Sequence, residues 1–467
     1  MGLWTRSEAD LATKGSSTCD WVASGVSIDT RTLQKGDLFI ALKAERDGHD
    51  FVAQAFSKGA AAAMVSRIPA GVNKDAPLLV VADVQTALER LGAAARERTK
   101  ARIVAVTGSV GKTSTKDMLN LMLSRQGKTH ASVASYNNHW GVPLTLARMP
   151  AESAFGIFEI GMNHPGEIAP LARQVRPHVA MITTVSEAHL EAFENIEGIA
   201  REKASIMEGL SKDGKAVLNG DIETSAILKE WADKNGCEQI WFGTGACFAR
   251  LLNTQIQEEG TRVDVQIDDQ ALSFSLATVG QHFVKNALGA LASVSALGAD
   301  VAQAADDLCL WQPGDGRGAR KTVMTPYGAI EIIDDAYNAN PASMAAALDV
   351  LALSKAKRRV AILGDMRELG PNASAIHAGL YELNALQNID LVHTVGPHMA
   401  VLHKRLAKSQ QGLHAQSAQD LLGELENTLN EGDCILIKAS LGTGLGVIVK
   451  ALYALEKTPV QSANKET

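Results

Sequence analysis

One stretch constrains this chain more than any other. A β-branched run, Arg102-Ile103-Val104-Ala105-Val106-Thr107, reaches Gly108-Ser109-Val110-Gly111-Lys112-Thr113-Ser114, and a helical pattern (Thr115, Lys116, Asp117, Met118, Leu119, Leu121, Met122) follows. Strand, glycine turn and helix start together make a phosphate cradle. Glycines let backbone N–H groups close on phosphate oxygens, and the helix N-terminus adds about half a positive charge. The lysine reaches the terminal phosphates, and the Thr113 hydroxyl is placed for Mg²⁺. Where the usual P-loop pattern wants an earlier glycine, this chain has Val106, so the motif is the shorter G-x-x-G-K-T form. The flanking strand and helix favour phosphate binding over a plain surface turn.

At 467 residues the chain is too long for one core, and its length suggests about three domains. A hydrophobic content of 46% beside 21% charged residues fits a globular protein. The net charge of −7 argues against non-specific nucleic-acid binding, because there is no basic surplus to neutralise phosphates. The five cysteines (Cys19, Cys237, Cys247, Cys309, Cys434) are scattered and lack metal-like spacing, which reads as thiols in a reducing compartment. The N-terminus has no apolar leader, and no apolar run is long enough to span a bilayer. A cytoplasmic protein is expected.

The expected fold is α/β in three domains. Residues 1–100 form a small N-terminal α/β domain, residues 101–310 a central P-loop domain with a mostly parallel sheet, and residues 311–467 a C-terminal Rossmann-like domain. In the first, Val26–Ile28, Leu38–Ala41, Ala62–Val65 and Leu78–Val81 read as strands. Phe51–Lys58 and Val84–Thr99 read as helices, the second with Leu88, Leu91 and Ala95 on one stripe. Ser27-Ile28-Asp29-Thr30-Arg31 and Asp47-Gly48-His49-Asp50 are polar clusters at element ends, open to reading as turns and caps or as contacts.

In the central domain, strands ending at Glu159 and just before His189 point both residues to the edge where ligands of an open parallel sheet bind. A carboxylate and an imidazole beside a triphosphate suit divalent cations. The helix Ile196–Leu210 carries Lys203 on its apolar stripe (Ile196, Ile199, Ala200, Met207, Leu210), away from Arg201, Glu202 and Glu208. An inward lysine must snorkel, find an anion, or lose its proton and become able to react with CO₂. The alternation Arg262-Val263-Asp264-Val265-Gln266-Ile267 suggests an antiparallel pair. Asn286 early in the next helix either touches a base edge or caps the helix.

Gly316-Arg317-Gly318 marks a hinge. The strand before Asp334-Asp335 leads to Asn340, a cap, and Pro341, at the first turn of a helix running to Leu353. Strand, polar loop and helix then recur as in a doubly wound sheet. The basic run Lys355–Arg359 reads as a solvated helix end, and the tail 458–467 as disordered.

Taken in order, Thr107–Thr113, Glu159, His189, Lys203, Asn286, Gly316-Arg317 and the Asp335 block resemble the Mur ligase family over nearly the whole chain. Four segments, Tyr136–Pro143, Asp334–Met344, Leu363–Gly370 and Asp47–Phe51, resemble the members that add D-alanyl-D-alanine to UDP-N-acetylmuramoyl-tripeptide for peptidoglycan synthesis. Those members usually carry Lys-Gly-Ser-Arg where this chain has Lys438-Ala439-Ser440-Leu441, so a bidentate guanidinium is missing there.

The resemblance implies an ATP- and Mg²⁺-dependent amide ligase, acting as a monomer through an acyl phosphate. It implies catalysis by Lys112, Glu159, His189 and Lys203, with the metals held by Thr113, Glu159, His189 and the carbamate of Lys203. ATP would meet Gly108, Ser109, Val110, Gly111, Lys112, Thr113, Ser114, Asn286, Arg317 and Asp335. The substrates would meet Ser27, Asp29, Arg31, His49, Asn137, Asn138, Asn338, Asn340 and Lys438. The alternatives are another amide ligase of the superfamily, resembling folylpolyglutamate synthase, and a non-catalytic nucleotide switch. An N-terminal domain ahead of the phosphate loop speaks against the former.

Overall fold

Three sheets that share no strand organise the chain. The computed structural model describes residues 2–456 apart from 74, 134, 188, 189, 258 and 259. The predicted tail 458–467 and His189 therefore lie outside the described residues.

The first sheet takes its strands in the order Ser16–Ser17, Leu78–Val80, Ala62–Val65, Asp37–Ile40 and Gly25–Ser27, parallel except at the Ser16–Ser17 edge. A short ribbon, Trp4–Thr5 with Val22–Ala23, and a helix, Arg6–Thr13, flank its edge strand Ser16–Ser17 in the chain and had no clear signal in the sequence. The helix Val84–Arg98 opens on Asp83, whose carboxylate accepts from the Thr86 N–H at 2.7 Å. Its expected stripe is buried, and Leu144 and Ala147 of the helix Gly141–Ala147 join the same core. Gly92 permits this approach, since a Cβ there would lie 2.9 Å from the Pro143 carbonyl. Trp4 ties the same contact by donating its indole N–H to the Ala147 carbonyl, with the Arg98 guanidinium 3.9 Å above its ring.

The second sheet runs in the order Gln270–Leu276, Gly260–Ile267, Ala249–Gln257, Glu238–Gly243, Lys215–Asn219, Val179–Ile182, Arg102–Thr107, Phe155–Glu159, Thr129–Ala131. Neighbours pair in parallel from Ala249–Gln257 onward, and the first three strands form an antiparallel meander at one edge. The predicted alternation Arg262–Ile267 lies in its middle strand. Register sets the site: Glu159 pairs with Val106 and Ile182 with Thr107, so three strands end together beside the glycine loop. The helix Gln281–Ala296 covers one face, with Gly289 so close to Met181 that a Cβ would sit 2.3 Å from Cε. The helix predicted to end at Leu210 is α-helical over Ile196–Ala204 and tightens to a 3₁₀ turn, Ser205–Gly209, where Gly209 packs on the Ala172 backbone.

The third sheet has the order Ala319–Thr325, Gly328–Asp335, Asp433–Lys438, Arg358–Gly364, Leu391–Val395, Gln411–Ala415, parallel after its first strand. Asn340 caps the helix Pro341–Ala352 in a reciprocal box with Ser343. One expectation fails here. The basic run is not a helix end: the helix stops at Ala352, and Arg358 and Arg359 open a strand. Arg358 grips the fully buried Asp433 through Nε and Nη2 at 2.8 and 2.7 Å, so the charge is spent on holding adjacent strands in register. All five cysteines are free. Among the described residues no helix is long and apolar enough to cross a membrane.

Candidate active site

The phosphate loop leaves the buried strand Arg102–Thr107 at Gly108, where φ is +154° and a Cβ would meet Thr183 Oγ1 at 1.9 Å. Gly111, at φ +85°, opens the helix Lys112–Ser124. Only glycine fits either place. The segment after Ile182 braces the loop: Thr183 Oγ1 donates to the Val110 carbonyl at 2.6 Å and the Ser109 hydroxyl to the Ser186 carbonyl at 2.9 Å. Val110 and Ser114 line the same cleft. Lys112 folds back to donate to the Gly108 carbonyl at 2.7 Å. Desolvation lowers its pKa and outweighs the raising effect of Glu159, with Arg317 lowering it further.

Beneath the loop, the buried Glu159 carboxylate accepts from Thr113 Oγ1 and from Asn137 Nδ2, each at 2.8 Å. Asn137, expected to meet the substrates, steadies this carboxylate and lines the same cleft. Asn138 accepts from the N–H groups of Trp140 and Gly141, turning the chain into its helix while still lining the cleft. Lys203 is 1% exposed, and among the described residues no ion pair reaches it. Burial pushes its ammonium pKa well below the ordinary value, the charge of Lys112 adds to that, and Glu202 opposes it. Snorkelling is therefore not its solution. Asn286 lies in the second turn of its helix, so it is not the cap. Its amide packs against Gly111, where a Cβ would come within 2.4 Å of Oδ1.

The facing wall belongs to the third sheet. Arg317 donates to Ser135 Oγ at 2.8 Å and stacks 4.3 Å over the Tyr337 ring. Asp335 and Lys438, both expected to contact ligands, hold each other at 2.7 Å, and Lys438 also donates to the Asn338 carbonyl. Burial raises the Asp335 pKa more than the lysine lowers it. Asn340 spends its side-chain oxygen on the Ser343 N–H. Together Lys112, Glu159, Asn286, Arg317, Asp335 and Lys438 line one cleft of about 790 Å³. His282 also lines it, a residue the sequence reading passed over. Burial, with Lys438 nearby, lowers its pKa to about 4, so the ring is neutral beside that of Phe283, 3.9 Å away between centroids.

The N-terminal candidates lie outside this cleft. Ser27 and Asp29 share a turn, and Asp29 clasps the exposed Arg31 through Nε and Nη2 at 3.0 and 2.6 Å. His49, expected to meet the substrates, is buried and already partnered. Its Nδ1 pairs with Asp47 at 2.7 Å and its Nε2 accepts the Ser66 N–H at 2.9 Å, which leaves no ring nitrogen free.

Profiles of the Mur ligase family catalytic domain, the Mur ligase middle domain, and the Mur ligase glutamate ligase domain match residues 22–96, 106–294 and 319–441 in turn. A UDP-N-acetylmuramoyl-tripeptide–D-alanyl-D-alanine ligase of Bacillus subtilis is 35% identical over 92% of this chain and 93% of its own length. The chain belongs to the Mur ligase family. The Escherichia coli ligase of the same name is also 35% identical, over 93% of this Mur ligase and 94% of its own length. A crystal structure of MurF from Acinetobacter baumannii superposes with a TM-score of 0.84 at 30% identity, covering 97% of this chain and 99% of that one. MurF from Thermotoga maritima, solved with ADP, shares the fold at a TM-score of 0.76 and 24% identity over 92% and 97% of the two chains.

Proposed function

We infer that this chain is an ATP-dependent ligase joining D-alanyl-D-alanine to UDP-N-acetylmuramoyl-tripeptide in peptidoglycan synthesis. The observation that carries the reading is the single cleft that sets the phosphate loop and Glu159 on one wall against Arg317, Asp335 and Lys438 on the other. We assign residues 1–100 to the UDP-linked donor, with Ser27, Asp29 and Arg31 as contacts and His49 as support for its loop. ATP falls to residues 101–310 and the acceptor to residues 311–467. We assign the ligase as a monomer, and the two nucleotide substrates support a cytoplasmic reaction.

The physical obstacle is that a carboxylate must meet a triphosphate. Lys112 would leave the Gly108 carbonyl for the phosphates, joined by the loop N–H groups and Arg317. Transfer of the γ-phosphoryl to the terminal carboxylate of the tripeptide gives an acyl phosphate. The dipeptide amine then attacks that carbon, and the tetrahedral intermediate expels phosphate. The Arg317–Ser135 contact, which joins the two walls, would keep water from the acyl phosphate.

Magnesium fits the donor set. Thr113 and Glu159 offer hard oxygen ligands in hydrogen-bond contact, and Mg²⁺ takes few protein ligands beside phosphate oxygens and water. Thr113 and Glu159 would hold one ion; the Lys203 carbamate and His189, the latter assigned by its motif alone, would hold a second. Bound there, the ions would neutralise phosphate charge. A neutral Lys203 amine adds to CO₂ and loses one proton to become that carbamate, an anion in place of an unpaired buried cation. Asn286, Asp335 and the neutral His282 are assigned to the nucleotide.

Phosphate release by the purified protein tests the reading, with UDP-N-acetylmuramoyl-tripeptide as donor and D-Ala-D-Ala, D-Ala, L-amino acids or a folate substrate as challengers. The dipeptide should give ADP, phosphate and a new peptide bond. ADP without that bond overturns the reading, and turnover of the folate would favour a folylpolyglutamate-type ligase.

A further inference from the structure

The segment Ser135–His139 touches all three parts of the molecule. From the third part, Arg317 donates to Ser135 Oγ at 2.8 Å. Towards the first, Tyr136 packs on the core that the first sheet shares with the helix Gly141–Ala147, and Gln85 Nε2 donates to the His139 carbonyl at 2.8 Å. Arg148 seals that side: its Nε donates to the Val26 carbonyl at 2.6 Å, and its guanidinium lies 5.7 Å from the centre of the Tyr136 ring. Between these anchors stands Asn137, whose Nδ2 donates to Glu159 Oε1 in the central part.

Asn137 has little freedom of its own. Its N–H donates to the Ser135 carbonyl at 2.9 Å, and its carbonyl accepts the Gly161 N–H at 2.8 Å. The side-chain amide lies against Gly161, where a Cβ would come within 2.8 Å of Cγ. A carboxylate only accepts, so the NH₂ end of that amide must be the one facing Glu159. A shift at Ser135 or Tyr136 therefore reaches the carboxylate through one hydrogen bond. Glu159 has a donor on each oxygen, Thr113 on Oε2 and Asn137 on Oε1. Thr113 and Glu159 give up the bond between them when they hold an ion. Among the described residues, Asn137 is then the side-chain donor left to fix the carboxylate plane.

We propose that Asn137 is a positioning residue through which the seating of the first and third parts sets the affinity of Glu159 for its divalent ion. The inference rests on the ion assigned above to Thr113 and Glu159. By linkage, the bound ion in turn favours the seated arrangement of the parts.

The test follows Mn²⁺, which takes the same oxygen ligands as Mg²⁺, through the electron paramagnetic signal of the free ion. The full-length enzyme is held with a non-hydrolysable ATP analogue, as wild type, Asn137→Ala, Ser135→Ala and Gln85→Ala, and with the last two each combined with Asn137→Ala. Asn137→Ala should weaken Mn²⁺ about 10- to 100-fold and leave the affinity for the analogue, measured without ion, unchanged. Ser135→Ala and Gln85→Ala should each weaken Mn²⁺ about 2- to 10-fold, and should add nothing where Asn137 is already alanine. Both leave Asn137 and Glu159 in place, so they decide the matter even if Asn137→Ala does not fold. Unchanged Mn²⁺ affinity in Asn137→Ala, unchanged affinity in both distal variants, distal effects that persist undiminished without Asn137, or an equal loss of the analogue without ion overturns the inference. No acceptor takes part, so the titration stays readable whichever amine the enzyme uses. A wild type that binds no Mn²⁺ removes the ion assignment and this inference with it, whereas a bound ion indifferent to all three substitutions removes the inference alone.

Discussion

Lys112 and Lys203 are both removed from water, and burial depresses both ammonium groups, yet the two make different demands on the cleft. Lys112 keeps a carbonyl partner that a phosphate can replace, so Lys112→Ala should lower kcat by on the order of a thousandfold or more, measured as phosphate release. Lys203 has no such partner in the described structure. Lys203→Ala should likewise cripple turnover, and wild-type activity should fall in CO₂-depleted buffer and return with bicarbonate. Indifference to both treatments would remove the carbamate. These two lysines were legible in the sequence because the signals are local: glycine spacing for one, helical periodicity for the other. The partners of Glu159 and Lys438 were not. Asn137 lies 22 positions from Glu159, and Asp335 lies 103 from Lys438, distances that only the sheet order brings together. His49 was picked out correctly as a polar residue at an element end, but nothing local disclosed that Asp47 and Ser66 would occupy both its nitrogens.

The elements of the third sheet show how charge is used for construction. Arg358 and Asp433 bind adjacent strands, and removing one partner leaves the other half or wholly buried, so Arg358→Ala should cost about 3 kcal/mol in denaturant unfolding. The basic run was misread for this reason: the acidic partner comes from a strand far along the chain. His393, in the strand Leu391–Val395, accepts the Leu413 N–H on Nδ1 and is fully buried; burial and the nearby Arg358 lower its pKa to about 4. The unfolded chain takes up a proton near pH 6.5, while the folded one resists until about pH 4, so stability falls as pH drops through that window. At pH 5 the loss from this group alone is about 2 kcal/mol. His393→Gln should flatten the acid side of a melting-temperature profile between pH 6.5 and 4.5. The strands themselves were read well from their apolar runs, whereas the Trp4–Thr5 ribbon, only two residues long, was too short for any periodic signal.

Across the whole molecule, side-chain contacts join the parts. Trp4 and Arg98 fasten the first sheet to the helix Gly141–Ala147. Trp4→Ala should remove about 3–5 kcal/mol of local packing. It should raise KM for the UDP-linked donor and leave ATP affinity intact, as seen by nucleotide titration. The division into parts was legible from recurring strand–loop–helix units; how the parts touch was not, because Gly92 against Pro143 and Arg317 against Ser135 each join residues far apart in the chain. Since no strand passes from one sheet to another, the seams are exchangeable. A hybrid carrying residues 319–441 of this chain on the first two parts of a relative that uses a different amine should inherit its amine from one parent and its nucleotide sugar from the other, and the mass of a single product would reveal both inheritances.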